Sequence, residues 1–401
     1  MTSATARPLA LVIGLTIHGL AVVRALARAG VEVHALSQGS RWRNPATYTR
    51  YGRVHMRQGL NTPALLGHLQ ELAESVGHGR GIVLFPTSDR MAGTIARHWP
   101  TLEALGYRLS WAHCRDLVLS LQDKANLPDY AARSGVRHPR SVILQRGDEA
   151  LDGAVEFPVV VKPTQPLSSF KALRADRSEA VREIAARYGA ELPFVVQELV
   201  EGDSDSLWAC TFYMDHGREI GALTSRKLAA SPPGFGQGTV FATEENAEVL
   251  ALGRQFLGGM DLSGPVAVEF KQDPRGRFWM IEPNAGRTEY CVDLAIQAGL
   301  NLPVIEYHHA LGHDLAALAP GRSIPQLWAD TDKDPHCLGT LPPGEASRRA
   351  GPAGPVFPYR GHGDPLPLMA SSVLTAAATA KASLRRHRKP PVHDQAAISR
   401  A

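Results

Sequence analysis

Two acidic residues and an amide are the first groups in this chain that could do chemistry together. They lie in Val266-Ala267-Val268-Glu269-Phe270-Lys271-Gln272 and Arg277-Phe278-Trp279-Met280-Ile281-Glu282-Pro283-Asn284, on either side of Asp273-Pro274-Arg275-Gly276. Asp-Pro-x-Gly between two apolar runs is turn chemistry, so the stretch reads as a β-hairpin. A turn closing from Asp273 to Gly276, or from Gln272 to Arg277, sets Glu269 opposite Met280 and Ala267 opposite Glu282. Side chains alternate along a strand, so Glu269, Glu282 and Asn284 then share one face. The two acids become diagonal neighbours, roughly 7–8 Å apart at Cβ. A three-residue loop would instead send them to opposite faces. Hard oxygen donors of this kind suit Mg²⁺ carrying the phosphates of a nucleotide.

Cationic residues recur around this pair in sequence. Val159-Val160-Val161-Lys162-Pro163 delivers a lysine to the end of a β-branched run. Packing explains such a lysine poorly, and a point charge for phosphate explains it well. The loop after it, Thr164-Gln165-Pro166-Leu167-Ser168-Ser169-Phe170-Lys171, offers hydroxyls and a further lysine but no glycine, so it is not a P-loop. Arg226 and Lys227 are adjacent on a predicted strand, so only one of them can face the acids. Arg287 follows Asn284 by three places and could pair with an ordinary acid or clamp a phosphoryl or carboxylate group bidentately. The Ser231-Pro232-Pro233-Gly234-Phe235-Gly236-Gln237-Gly238 segment is a loop able to close over a ligand.

These residues need elements to position them. Pro8–Gly14, Gly19–Gly30 and Val31–Leu36 read as strand, helix and strand, a βαβ unit of Rossmann type with a parallel sheet. Its first turn, Gly14-Leu15-Thr16-Ile17-His18-Gly19, is not GxGxxG, which argues against an NAD-type oxidoreductase. Gly81–Asp89 is a further buried strand with Thr87, Ser88 and Asp89 at its carboxyl end, where open α/β sheets bind ligands. Those three are substrate candidates or, equally, the cap of the next helix. A helix is predicted from Asp123-Lys124 to Ser134, with strands at Ser141–Leu144, Val159–Lys162, Pro193–Val200 and Ser206–Met214. Helices follow at Glu244–Gly258 and Tyr290–Gly299. From Ala319 proline and glycine become frequent, and Leu368–Leu384 reads as an alanine-rich helix.

The totals narrow the class. The chain has 401 residues, 44% hydrophobic and 20% charged, which is a soluble globular protein of two or three domains. The net charge of +4 is modest and gathers in Arg385-Arg386-His387-Arg388-Lys389, so no nucleic-acid partner is indicated. Cys114, Cys210, Cys291 and Cys337 form no CxxC pair, which disfavours zinc and disulfides and suits a cytoplasmic protein. No apolar segment is long enough for a signal or a membrane span. None of the 16 histidines is needed as a catalyst, and His18, His308 and His309 are expected in structural or surface roles.

In this order, from about Leu121 to about Gly312, the motifs resemble the ATP-grasp superfamily, in its carboxylate–amine ligase branch that includes D-aspartate ligase-like proteins. The resemblance rests on Lys162-Pro163, Gln197-Glu198-Leu199-Val200-Glu201-Gly202-Asp203, Arg226-Lys227 with Pro232-Pro233-Gly234-Phe235-Gly236, Val268-Glu269-Phe270-Lys271 and Ile281-Glu282-Pro283-Asn284. It implies α/β and α+β architecture: an N-terminal Rossmann-like parallel α/β domain (residues 1–118) followed by a two-lobed ATP-grasp module. That module would comprise a lid (119–195) and a C-terminal lobe with the metal site (196–325), ahead of a Pro/Gly-rich extension and helix (326–401). By the same resemblance Lys124 and Lys162 hold the ATP phosphates, with Ser168, Ser169 and Lys171 as further contacts. Gln197, Glu198, Leu199 and Val200 form the hinge that reads adenine, and Asp203 or Asp205 holds the ribose. Glu269 binds one Mg²⁺, Glu282 bridges two and Asn284 completes the second, with Mn²⁺ as the alternative ion. Arg287, with Arg226 or Lys227, stabilises the transferring phosphate. The implied reaction joins a small-molecule carboxylate to an amine through an acyl phosphate, releasing ADP and phosphate. The alternative is a nucleotide-binding protein without ligase activity. A homodimer is compatible with either. The loop 164–171 departs from the family in lacking glycine, and Arg287 lies one place further from Asn284 than in many relatives.

Overall fold

The computed structural model describes residues 7–388, apart from 78, 150, 152, 166–168, 322, 353 and 362. Three sheets follow one another along the chain. The first comprises β1 (Leu9–Ile13), β2 (Val33–Ser37), β3 (Arg53–Met56), β4 (Ile82–Pro86) and β5 (Tyr107–Arg108). All five run parallel in the order β3-β2-β1-β4-β5. Strands β1, β2 and β4 are buried throughout, which is why they read as nearly unbroken apolar runs. The helix Ile17–Arg28 makes the crossover. The sheet order reverses on either side of β1, so the loops leaving β1 and β4 open a crevice at their carboxyl ends.

The second sheet contains β6 (Ser141–Leu144), β7 (Val159–Pro163), β8 (Leu173–Ala175) and β9 (Phe194–Glu198), antiparallel in the order β6-β9-β7-β8. Val159, Val161, Phe194 and Val196 alternate onto one face and pack with Val181 and Ala185 of the helix Ser178–Tyr188. β9 spans Phe194–Glu198, on both sides of residue 195, the expected boundary between the lobes.

The third sheet is the largest. Its strands are β10 (Leu207–Asp215), β11 (Arg218–Ser231), β12 (Gln237–Thr243), β13 (Gly264–Gln272), β14 (Phe278–Ala285) and β15 (Leu327–Ala329), in the order β14-β13-β10-β11-β12-β15. Trp208, Cys210, Phe212, Val268 and Phe270 form a core on one face, with Val249 and Phe256 of the helix Ala247–Leu257. The opposite face carries the acids.

The segment expected as a C-terminal extension is part of the fold. β15 pairs with β12, and further on Pro358, Tyr359 and Asp364 meet the helix Ile17–Arg28. There the buried Arg24 donates to Asp364 at 2.8 Å and to the carbonyl of Pro358 at 2.7 Å. No helix among the described residues is long and apolar enough to cross a membrane.

Candidate active site

The hairpin forms, but its register differs from the expected one by two one-residue slips. The Gly276 N–H donates to the Asp273 carbonyl at 2.8 Å, and the Asp273 N–H donates to the Arg277 carbonyl at 2.9 Å. Gly276 takes φ +80°, so the connection is a type I turn closed by a glycine bulge, an odd loop. The Asp273 carboxylate fixes it by accepting from the backbone of Arg275 and Arg277 and from the Trp279 indole. Gln272 consequently faces Phe278 and Phe270 faces Met280. That slip alone would split the acids between the faces. A bulge at Ile281 then adds a second slip, so Glu269 faces Glu282 directly and Ala267 faces Asn284. Glu269, Glu282 and Asn284 share one face as expected, but as a directly opposed pair instead of a diagonal one. The Asn284 amide donates to Glu269 Oε1 at 3.3 Å.

The face is ringed by cations. Lys124, on the short 3₁₀ turn Lys124–Asn126, places Nζ 2.6 Å from Glu282 Oε2. Lys162 at the end of β7 donates to Gln197 Oε1 at 3.0 Å. Burial pulls the Lys162 ammonium down to about 8, and Lys124 adds to the effect. Burial opposes ionisation of Glu282 too, yet the charges of Lys124 and Lys162 hold it well below the usual carboxylate range. Glu269 goes the other way, raised by burial and by the Glu282 charge. Two opposed carboxylates of which one resists ionisation are a site short of positive charge. The three side chains on this face offer only oxygen to an ion, two carboxylates and an amide, and this set fits Mg²⁺.

Arg287 closes one end. Its guanidinium grips Asp89, where the β4 loop enters the helix Asp89–Arg97, with Nη2 3.1 Å from Oδ2, and also donates to Asn284 Oδ1 at 2.9 Å. Gly286 before it has φ +77°, and a Cβ there would lie 2.6 Å from Val118 Cγ1. Only glycine lets the chain turn so close to the helix Arg115–Gln122. Of the β4 loop candidates, Asp89 therefore reaches the site through Arg287. Ser88 caps its helix by accepting from the Met91 N–H, and the Thr87 hydroxyl donates to the Ile13 carbonyl at 2.7 Å.

At the other end a cavity of about 550 Å³ opens between the second and third sheets. Lys162, the Gln197–Asp203 stretch, Lys271 and Ile281 line it, and Phe235 from the glycine-rich loop reaches it. Asp203 borders this cavity and Asp205 does not.

No protein-family model matches the sequence, and no curated protein resembles it in sequence. Solved structures do share the architecture. N5-carboxyaminoimidazole ribonucleotide synthetase (PurK), as its ADP complex, superposes with a TM-score of 0.62 at 15% identity, covering 82% of each chain. The biotin carboxylase domain of Hydrogenobacter thermophilus 2-oxoglutarate carboxylase, with MgADP and bicarbonate, gives 0.60 at 16% identity over 76% of this chain and 70% of that one. L-amino acid ligase from Bacillus licheniformis gives 0.56 at 14% identity over 80% and 79%. The chain has the ATP-grasp fold.

Within the ATP-grasp module some expected residues stand elsewhere. Arg226 is turned away: it pairs with Asp205 at 3.3 Å and lies 5.3 Å over the Trp208 ring, on the face opposite Glu269. Strand alternation gives the inner face to Lys227, which is buried and brought down to about 8 by that burial against the partial support of Glu269. Ser169 spends its N–H on Glu191 at 2.8 Å, and Ser168 lies outside the described residues. Lys171 is exposed, but its charge acts on both Glu269 and Glu282.

One residue near these acids had no signal in the sequence, and another was expected only in a structural or surface role. Glu289 accepts from the Thr211 hydroxyl at 2.8 Å and is pushed up to about 7 by burial and by Glu269. An acid just ahead of the helix Val292–Gln297 reads simply as helix-terminal polarity. His18 is buried against Thr288 Oγ1 at 2.7 Å, one residue from Arg287, and burial drops it to about 3. It is a neutral structural contact, and its nearness to the site follows from tertiary folding alone.

Proposed function

We propose that the protein is an ATP-dependent carboxylate–amine ligase, forming an amide or peptide bond through an acyl phosphate and releasing ADP and phosphate. The observation that carries this is the Glu269, Glu282 and Asn284 row ringed by Lys124, Lys162, Lys227 and Arg287. A carboxylate attacking a polyphosphate is slowed by repulsion of like charges, so positive charge fixed around the reacting groups is the main need. Glu269, Glu282 and Asn284 would hold Mg²⁺, two ions by the family pattern and replaceable by Mn²⁺. Bound there, Mg²⁺ supplies charge neutralisation and orientation of the phosphates. Lys124, now on Glu282, and Lys162, now on Gln197, would turn to phosphate oxygens. The Gln197–Val200 backbone would read adenine and Asp203 the ribose, in the cavity they line. Arg287 would hold the transferring phosphoryl group, with Asp89 fixing its plane. The five-stranded parallel sheet would serve as the Rossmann-like domain that precedes such a module. The partners are a small-molecule carboxylate and an amine.

The test is ADP release in Mg²⁺ with pools of carboxylates and amines, for the wild type and for Glu282→Gln. The wild type should release ADP only when both pools are present. Glu282→Gln should lose this by at least about a hundredfold while its circular dichroism is unchanged. ATP binding with no pool-dependent ADP would mean a nucleotide-binding protein without ligase activity, and full turnover in Glu282→Gln would remove the hairpin from the mechanism.

A further inference from the structure

A second cluster of ligating side chains lies away from the nucleotide cleft. His113 sits on the 3₁₀ turn Ala112–Cys114, His216 in the turn between β10 and β11, and Asp261 in the loop leading to β13. Three segments far apart in sequence thus meet at the seam where the N-terminal domain gives way to the ATP-grasp module. One donor atom of each lies within 4.8 Å of the other two. His216 Nδ1 is 3.0 Å from Asp261 Oδ1, and His113 Nε2 is 3.6 Å from the same oxygen. The two imidazole rings stack with centroids 4.0 Å apart and planes 19° from parallel.

The nitrogen–oxygen separations are compatible with a coordination shell. A tetrahedral Zn²⁺ with bonds of about 2.0–2.2 Å to nitrogen and oxygen holds neighbouring donors roughly 3.3–3.5 Å apart. The two nitrogen–oxygen distances bracket that value, and because the side chains are exposed the stacked rings can turn until their nitrogens converge on an ion. The donor set of two imidazoles and one carboxylate selects for late first-row divalent metals over Mg²⁺ and Ca²⁺, which prefer all-oxygen shells. The neighbouring acid Asp215 is already committed, to Arg218 at 2.8 Å and His309 at 3.3 Å, so it does not compete. His216 is held by the turn itself: it takes φ 47° and Gly217 φ 75°, the type I′ pattern of a two-residue hairpin loop.

We propose that His113, His216 and Asp261 form a binding site for a late first-row divalent cation, Zn²⁺ above all, with its fourth position left to water. The ion would pin the chain entering the module, eleven residues before Lys124, to the β10–β11 turn. This holds whether or not the cleft is a ligase site.

The test uses the full chain, freed of metal by chelation and saturated with MgADP to occupy the cleft acids. Zn²⁺ binding is followed by competition with a chromogenic chelator, and Co²⁺ binding by its visible absorption. The wild type should bind one equivalent at this site and melt at a higher temperature with Zn²⁺. His216→Asn and Asp261→Asn should each lose that equivalent and the thermal shift. Asn tolerates positive φ, so His216→Asn keeps the turn and its loss of binding is not a folding failure. His309→Gln should bind as the wild type does. If the wild type takes up no equivalent, or if both variants keep it, the three side chains are only a hydrogen-bonded histidine–aspartate group and the proposal is overturned.

Discussion

Glu289→Gln should change the pH dependence of stability more than the stability itself. Glu289 stands near 7 in the fold against an ordinary 4.5, because burial and the Glu269 charge disfavour its ionised form. A carboxyl raised in this way adds stability that is fully present below the unfolded value and is lost as pH rises through the folded one. Between the two the native state keeps a proton that the unfolded chain has released, so stability falls by about 1.4 kcal/mol per pH unit. Across the window from 4.5 to 7 the loss is roughly 3 kcal/mol, or nearer 2 because the residue keeps partial solvent contact. Glutamine fills the same space, can still accept from Thr211 and does not titrate. Urea unfolding of both proteins from pH 5 to pH 8.5 measures the difference directly. Glu306, also raised by burial, to about 8, occurs in both proteins and cancels. The wild type should lose stability relative to Glu289→Gln as pH rises to 7, and the gap should then level off. Parallel curves, within about 0.5 kcal/mol across the range, would refute the argument that Glu289 is held protonated by its surroundings.

Three further outcomes follow from the same geometry. Lys162 stands near 8 in the free protein, so ADP affinity should fall above that pH, by up to about tenfold per unit, and Lys162→Arg should flatten the profile. Equal slopes by calorimetric titration would exclude Lys162 as a phosphate contact. Lys227→Gln should cut pool-dependent ADP release by about a hundredfold while Arg226→Gln leaves it within about twofold, since only Lys227 faces the acids. The reverse ranking would show that the β11 face is misassigned. Gly286→Ala combines positive φ with a close approach to Val118, so it should lower unfolding free energy by about 2–4 kcal/mol, and an unchanged urea midpoint would count against the backbone reading.

The parts of this molecule that were readable in one dimension are those set by local chemistry. Val159–Val161 is a buried strand because β-branched residues pack on both faces, and it carries Lys162 to its end by strand geometry alone. β1 and β4 announce a parallel sheet in the same way. What stayed hidden depends on contacts across long separations. Arg287 takes its plane from Asp89, 198 residues away, and Glu289 owes its raised value to burial and to the charge of Glu269 on another strand. The Arg226 and Lys227 choice needed the β10–β11 register, in which Trp208 faces Arg226, and alternation along one strand does not say which residue faces which side.

The hairpin shows how a right face can follow from a wrong register. Side-chain direction has period two, so one slip moves every residue to the other face and two slips restore it. The Asp273–Gly276 turn slips once because Gly276 adopts positive φ and the Asp273 carboxylate gathers the backbone around it. The bulge at Ile281 slips once more. Neither could be dropped alone. Without the bulge, Glu282 would point with Phe270 and Met280 into the core, where an unpaired carboxylate is prohibitively costly. With it, Ile281 goes to the wall of the cavity and Glu282 to the cations. The bulge is therefore what turns a plain hairpin into a site, and deleting Ile281 should abolish both nucleotide binding and stability where Ile281→Val, which keeps the extra residue, should spare the fold.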